Sequence, residues 1–368
     1  MDEMTTQSTP ASLAIVGTGW RAEFFAMLAL AMPDRFTLVG VAARTASSSQ
    51  DAARRWKVPA FDSPTELVRR QAPDFVVSSV PWSASPEVIG ALVAAGSRVL
   101  SETPPAPDVA GLHKLWAQVG SSRKVQVAEQ YLLLPGHAAR LAALRSGVIG
   151  TPTSVHVSST HGYHAVSMMR GFLGGDPFGR VITSVNTFSA PLVDPIARDG
   201  WTDDDRPKAA TTTLATLDFG GGRSGLYDFT DNQWHNQLRF RRILIRGSHG
   251  EISDDDVIRL AGPRAIVTSD FRRYQLGVDL NLDGFDLEHI SFDGDVVYRN
   301  PFLGHRLMDE EIAIATLMQA TAAWSRDEGP PPYPLADGCQ DHLVSLAIDE
   351  SVRTGAPVTT APGPWSCA

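Results

Sequence analysis

The chain holds only two cysteines, Cys339 and Cys367. Two thiols build neither a disulfide framework nor a cysteine-rich metal site. Lysine is almost as scarce, with only Lys57, Lys114, Lys124 and Lys208 among 368 residues. Positive charge is short overall, and the formal net charge is −9. A surface of that sign repels phosphate backbones and anionic lipid, so no nucleic acid and no membrane is expected as a partner. Long apolar runs are also missing. FFAMLALAM, the most apolar early stretch, falls far short of the ~20 residues a membrane helix needs. The opening MDEMTTQSTP carries neither the basic nor the apolar part of a secretory signal. The expectation is a cytoplasmic protein whose residues 1–11 form a disordered lead.

What is present is enough apolar material for a large core, 43% of residues, at a length that suits two domains. SLAIVG, FTLVGVAA, DFVVSSVP, SRVLSE and KVQVAEQY are short apolar runs stopped by glycine, proline or polar residues, as buried parallel strands are. Between them AEFFAMLALAM, SSSQDAARRW, PTELVRRQ, PEVIGALVAAG and DVAGLHKLWAQVG read as helices, several with a capping serine or aspartate or an early proline. Strict alternation of strand and helix over residues 12–131 predicts a doubly wound parallel sheet.

Residues 132–368 differ. TPTSVHVSS, ATTTLATLDF, GRSGLYDFT and LRFRRILIRG are longer and partly alternating. They predict a C-terminal α/β domain with a large open, mostly antiparallel sheet covered on one face. HRLMDEEIAIATLMQATAAW and DGCQDHLVSLAIDESVRTG are closing helices joined by the stiff EGPPPYP.

The strongest motif is Gly17-Thr18-Gly19-Trp20-Arg21-Ala22, directly after the first strand and opening the first helix. In that context G-x-G-x-x-A makes a tight turn, admits a pyrophosphate to the backbone, and lets helix and strand pack closely. Gly17 through Arg21 are therefore candidate cofactor contacts, and the N-terminal domain reads as a Rossmann dinucleotide-binding domain. The second strand ends in Ala42-Ala43-Arg44-Thr45 and three serines, with no acid to read an adenosine ribose. Arg44 favours a 2′-phosphate, so NADP is preferred over NAD. Pro81 and Trp82 leave a strand at its C-terminal end, where ligands lie in such sheets, and Trp82 is either a stacking or a packing ring. The aspartate runs 203–205 and 254–256 read as solvated turns. Arg239, Arg241 and Arg242 beside Phe240 read as an exposed or subunit-facing strand.

IVGTGWRA, SSVPW, AAGSRVLSETP, IGTPTSV, HAVSMMRGFLG and DESVRTGAPV together resemble the Gfo/Idh/MocA oxidoreductase family. It is named after glucose–fructose oxidoreductase and inositol dehydrogenase. The resemblance implies hydride transfer between NAD(P) and a carbinol of a sugar, cyclitol or similar polyol. It also implies a homodimer or homotetramer built through the C-terminal sheet. Gln130 stands where the family has an asparagine near the nicotinamide amide. Glu102 and Pro104 keep the frame of a family Glu-Lys-Pro segment, but Thr103 replaces its lysine. A threonine hydrogen-bonds a reacting hydroxyl without a charge, at about 1 kcal/mol against the 1.5–3 of a charged donor. Lys208 is the one plausible stand-in.

Counting back from Leu173-Gly174, the family's catalytic histidine falls on His164. At the start of a helix, its imidazole is kept neutral, as a base requires. It serves as acid/base or, alternatively, as a structural histidine. The acid usual four positions earlier is Thr160 here, and His161 and Tyr163 are further candidate proton donors. His161 and His164 alone do not make a metal site, and none is expected. The missing lysine and acid keep a non-redox alternative open: a dinucleotide-binding sensor or regulator, or a redox-neutral lyase or hydrolase with retained cofactor.

Overall fold

The computed structural model describes residues 9–197, 199–277 and 285–367. Most of the expected lead, residues 1–8, lies outside the described residues. Its last residues are tied down. The Arg326 guanidinium donates to the carbonyls of Thr9 (2.9 Å) and Pro10 (3.1 Å), and Ala11 already opens the first strand.

The chain divides into two compact units. The first takes in residues up to Leu133 together with Gly304–Cys339, and the second Leu134–Leu303 with Gln340–Cys367. A simple cut after residue 131 therefore leaves out a returning segment of the first unit.

The first unit is built in strict alternation: β1 (Ala11–Val16), α1 (Trp20–Ala31), β2 (Phe36–Ala42), α2 (Ala46–Trp56), β3 (Ala60–Phe61), α3 (Pro64–Gln71), β4 (Phe75–Ser78), α4 (Ser85–Ala94), β5 (Val99–Ser101), α5 (Val109–Val119) and β6 (Val125–Val127). The strands pair in parallel in the order β3-β2-β1-β4-β5-β6. All residues of β4, β5 and β6 are buried, which is why these strands read as mainly apolar runs. KVQVAEQY forms a strand only over Val125–Val127; the chain then leaves the sheet. The helix starts follow from their caps. Thr45 accepts from the Ser48 N–H, Ser63 from that of Glu66, and Asp108 from that of Gly111.

The second unit supplies α6 (Pro135–Arg145), β7 (Pro152–Ser158), α7 (Gly162–Leu173), β8 (Ile182–Leu192), β9 (Ile196–Ala197), β10 (Gly200–Trp201), β11 (Lys208–Gly220), β12 (Arg223–Thr230), β13 (Arg242–Gly247), β14 (Gly250–Ser253), β15 (Asp256–Gly262), β16 (Ala265–Leu276), β17 (Asp286–Phe292) and β18 (Asp295–Arg299). The helix α8 (Asp309–Ser325) belongs to the first unit, and α9 (Leu335–Thr354) carries the division between Cys339 and Gln340. β19 (Val358–Thr359) completes an eleven-stranded sheet ordered β18-β17-β16-β15-β14-β13-β7-β12-β11-β8-β19. Only β7 and β12 pair in parallel within it; the other neighbours are antiparallel, as expected.

Register sorts the side chains of this sheet onto two faces. Ala215, Leu217, Tyr227, Val155, Val157, Ile243, Ile245, Ile252 and Val257 fall on one face and are buried, with α7 packed on β7 and β12. Phe188, Leu214, Leu226, Ile258, Leu260, Ile266 and Tyr274 fall on the other and are exposed.

Two expectations are corrected here. The strand read from LRFRRILIRG begins only at Arg242. Arg239 is instead fixed in a loop by Asp194 Oδ1 (2.6 Å) and the Asp231 carbonyl (3.0 Å), and Arg241 donates to the Trp234 carbonyl. The turn at residues 254–256 is not merely solvated. Arg140 is buried and donates to the Asp254 carbonyl (2.7 Å) and Asp255 Oδ1 (2.9 Å). Among the described residues, no helix is long and apolar enough to cross a membrane.

Candidate active site

The turn between β1 and α1 has a shape only glycine allows. Gly17 sits at φ +117°, and a Cβ there would lie 1.9 Å from the Ser79 carbonyl oxygen. Gly19 is the N-cap of α1 and has no side-chain cap bond, while a Cβ on it would meet nothing within 4 Å. Ala22 is fully buried, which seats the helix on the sheet. The start of α1 therefore has no N-cap side chain over it and open space where one would stand. It lies next to the β1/β4 pair, where the strand order reverses and ligands bind in such sheets. These features fit a dinucleotide pyrophosphate. Thr18 lines the turn half-buried, and Trp20 is 52% exposed with its ring edge-on to Phe24.

Arg21 has a different employment. Its Nε donates to Glu102 Oε1 (2.9 Å) and one terminal nitrogen to Glu310 Oε1 (2.8 Å). Burial works against the charge, but the two carboxylates outweigh it and hold the guanidinium pKa above its ordinary value. Glu102 in turn accepts from the Thr103 N–H at 3.1 Å, and its own N–H is held by the Ser78 carbonyl (2.9 Å). Thr103 is half-buried and precedes Pro104 through a cis bond. Gln130 is buried just beyond β6, with Nε2 3.3 Å from Glu310 Oε1 and with Oε1 buried and unpartnered. Ser78 Oγ, at the end of β4, is a second buried polar atom without a partner.

At the end of β2, Arg44 is exposed. Beside it Thr45 Oγ1 bonds the hydroxyls of Ser47 (3.3 Å) and Ser48 (2.7 Å). Pro81 and Trp82 are exposed, and the Pro81 carbonyl accepts from Ala84 and Ser85 to start α4.

In the second unit, His161 is the N-cap of α7 and His164 lies in its first turn. Their rings are edge-on with centroids 4.9 Å apart. The Gly162 N–H donates here to the Tyr227 hydroxyl at 3.1 Å. Tyr163 is buried between His164 and His342, at ring distances of 5.4 and 6.0 Å. His161 keeps an exposed surface, but its imidazole is hemmed in by His164, Trp234 (5.3 Å) and Phe229 (6.5 Å). That desolvation, with His164 alongside, pushes its pKa down to about 3. The neutral imidazole is thus the favoured form of His161, with one ring N–H as a donor. Lys208 opens β11, exposed, with Nζ 2.9 Å from Asp204 Oδ2. Among the described residues, no group of three or more histidine, cysteine or acidic side chains converges as metal ligands would.

Three residues stand out that sequence reasoning passes over. Glu310 joins Arg21 to Gln130 from 289 residues along the chain, and DEE at a helix start signals only dipole complementarity. Phe229 and Trp234 stack at 5.0 Å beside His161. Phe229 carries an ordinary strand pattern, and Trp234 lies in a turn with no signal of its own.

Residues 11–131 match the model of the Gfo/Idh/MocA oxidoreductases. That model describes the NAD-binding Rossmann fold of an oxidoreductase family. No curated protein matches the sequence. Solved structures share the fold over nearly the whole chain. An Agrobacterium radiobacter oxidoreductase in complex with NAD+, L-tartaric acid and magnesium is 16% identical, with a TM-score of 0.68 over 95% of this chain and 98% of its own. Levoglucosan dehydrogenase in complex with NADH and levoglucosan is 18% identical, with a TM-score of 0.65 over 95% and 99%. A myo-inositol dehydrogenase from Corynebacterium glutamicum is 19% identical, with a TM-score of 0.64 over 96% and 100%.

Proposed function

We propose that the protein is an NAD(P)-dependent oxidoreductase acting on a carbinol or carbonyl carbon of a sugar, cyclitol or similar polyol. The observation that carries this reading is the open, uncapped glycine turn at the switch point of a domain matching an NAD-binding oxidoreductase family. The polyol class is supported by the inositol and levoglucosan dehydrogenases that share the fold. When bound, the dinucleotide supplies a two-electron acceptor or donor at nicotinamide C4.

The chain's own residues bind, orient and move the proton. The N–H groups opening α1 hold the pyrophosphate. Arg44 with the hydroxyls of Thr45, Ser47 and Ser48 favours a 2′-phosphate, so NADP is preferred over NAD. His164 takes the hydroxyl proton in oxidation and returns it in reduction, with its ring fixed between Tyr163 and His161. Thr103 hydrogen-bonds the reacting oxygen, and the neutral His161 edge offers a further polar contact. Pro81, Trp82, Glu102 and Gln130 frame the nicotinamide end. The working form is a cytoplasmic homodimer or homotetramer built through the exposed apolar face of the eleven-stranded sheet.

Thr103 also favours a second reading. Where no ammonium assists alkoxide formation, the same scaffold suits a redox-neutral elimination or hydrolysis with retained dinucleotide, or a sensor. One screen separates them: myo-inositol, levoglucosan, D-glucose and L-tartrate with NADP+ and NAD+, followed by nicotinamide absorbance and by product analysis. Reduced cofactor formed in step with product supports the oxidoreductase. Product without net reduction, or tight cofactor binding without any product, overturns it.

A further inference from the structure

We propose that Glu310 is a positioning residue for the nicotinamide end of the dinucleotide, fixing the Gln130 amide so that Oε1 accepts from the cofactor's carboxamide NH2. The inference rests on the dinucleotide-binding reading above. It starts from the flip of one amide. An ionised carboxylate only accepts, so the Gln130 group facing Glu310 Oε1 at 3.3 Å is the NH2. The opposite flip would set two acceptors against each other. Arg21 holds Glu310 in that position through its 2.8 Å bond to the same oxygen. The Gln130 carbonyl oxygen is thereby turned away from Glu310, buried and without a partner.

A buried acceptor left unpaired is destabilising, so the position calls for a donor. Its place says which. Gln130 follows β6, at the C-terminal end of the β4-β5-β6 half of the sheet. The adenosine half belongs to the β2 side, which leaves the β4-β5-β6 half to the nicotinamide. The distinctive donor there is the carboxamide NH2. The same Arg21–Glu102 pair fixes the backbone of Thr103, so one ion network sets both the amide and the threonine.

The test titrates the full-length protein, wild type and Glu310→Gln, with NAD+, NADP+, ADP-ribose and 3-acetylpyridine adenine dinucleotide, which has a methyl in place of the NH2. Glu310→Gln is expected to weaken NAD+ and NADP+ about tenfold, roughly one hydrogen bond, and to leave ADP-ribose within about twofold. The acetylpyridine analogue is expected to bind wild type about tenfold more weakly than NAD+ and to ignore the substitution. Equal weakening of ADP-ribose overturns the inference and leaves Glu310 a structural strut. So does an analogue that binds wild type as tightly as NAD+, a measurement that needs no variant to fold. Failure of ADP-ribose to bind wild type would overturn the dinucleotide reading itself.

Discussion

Two helices begin next to the residues of interest, and they begin differently. α1 starts at Gly19, which supplies no side-chain cap and leaves open space where a Cβ would stand. α7 starts at His161, and the Tyr227 hydroxyl occupies the Gly162 N–H. The N-terminal unit leaves its helix start without a side-chain cap, and the other unit holds its helix start with a tyrosine hydroxyl. The lesson is that a helix end marks a binding site only when the fold declines to cap it. Where the fold does cap it, the helix end orients its own residues, here His164 and its neighbours.

Breaking the open end should have the largest effect. Gly17→Ala places a Cβ against the Ser79 carbonyl at a positive φ. Dinucleotide binding is expected to fall on the order of a hundredfold or to be lost with the fold, read by NADP+ titration beside thermal melting. Next is His164→Asn. Turnover is expected to drop about 10²–10⁴-fold while cofactor affinity stays put, so a matching loss of affinity would remove His164 from the proton step.

Tyr227→Phe sharpens the comparison from the capped side. It strips the bond to Gly162 and should destabilise the protein by about 1 kcal/mol in urea unfolding, with no change in NADP+ affinity. An effect on affinity instead of stability would mean that α7, too, is read by the ligand.

The last effect is a slope with pH rather than a single loss. His161 and His137 are both held neutral in the fold, with pKa values pushed down to about 3 by burial and by His164 and Arg140 respectively. The unfolded chain takes up protons on them near 6.5, so their contribution to stability is present above that pH and is lost as pH falls towards 3. Unfolding measured across that window should be less pH-dependent in His161→Gln than in wild type.

The parallel sheet was legible in the sequence because burial on both faces turns strands such as Phe75–Ser78 into plain apolar runs. The glycine turn was legible because Gly17 is demanded by geometry rather than by packing. Much of the second sheet was not. β8, ITSVNTFSAPL, and β16, AIVTSDFRRYQL, leave most of their side chains exposed or half-exposed, so neither shows a clean two-residue period. Arg239 and Arg241 looked like strand residues because local pattern carries no record of Asp194 or of the Trp234 carbonyl. Within the candidate site, residue types at motif positions could be read, but what they bond to could not. Arg21 reads as a phosphate contact and is an ion-pair strut, and Glu310 is silent until the chain returns to meet it.

That return has a consequence for the order in which the protein is made. α8 packs on β1, β4 and α1, burying Ile312, Ile314, Leu317 and Met318, and Arg326 ties Asp74 at 2.9 Å. A growing chain therefore completes its first sheet among the earliest residues synthesised, yet holds it unfinished until residues beyond 304 emerge. Nascent chains stalled at residue 303 should be cut by a protease that spares the finished protein, and residues 1–131 alone should behave as an incomplete domain rather than a transplantable one.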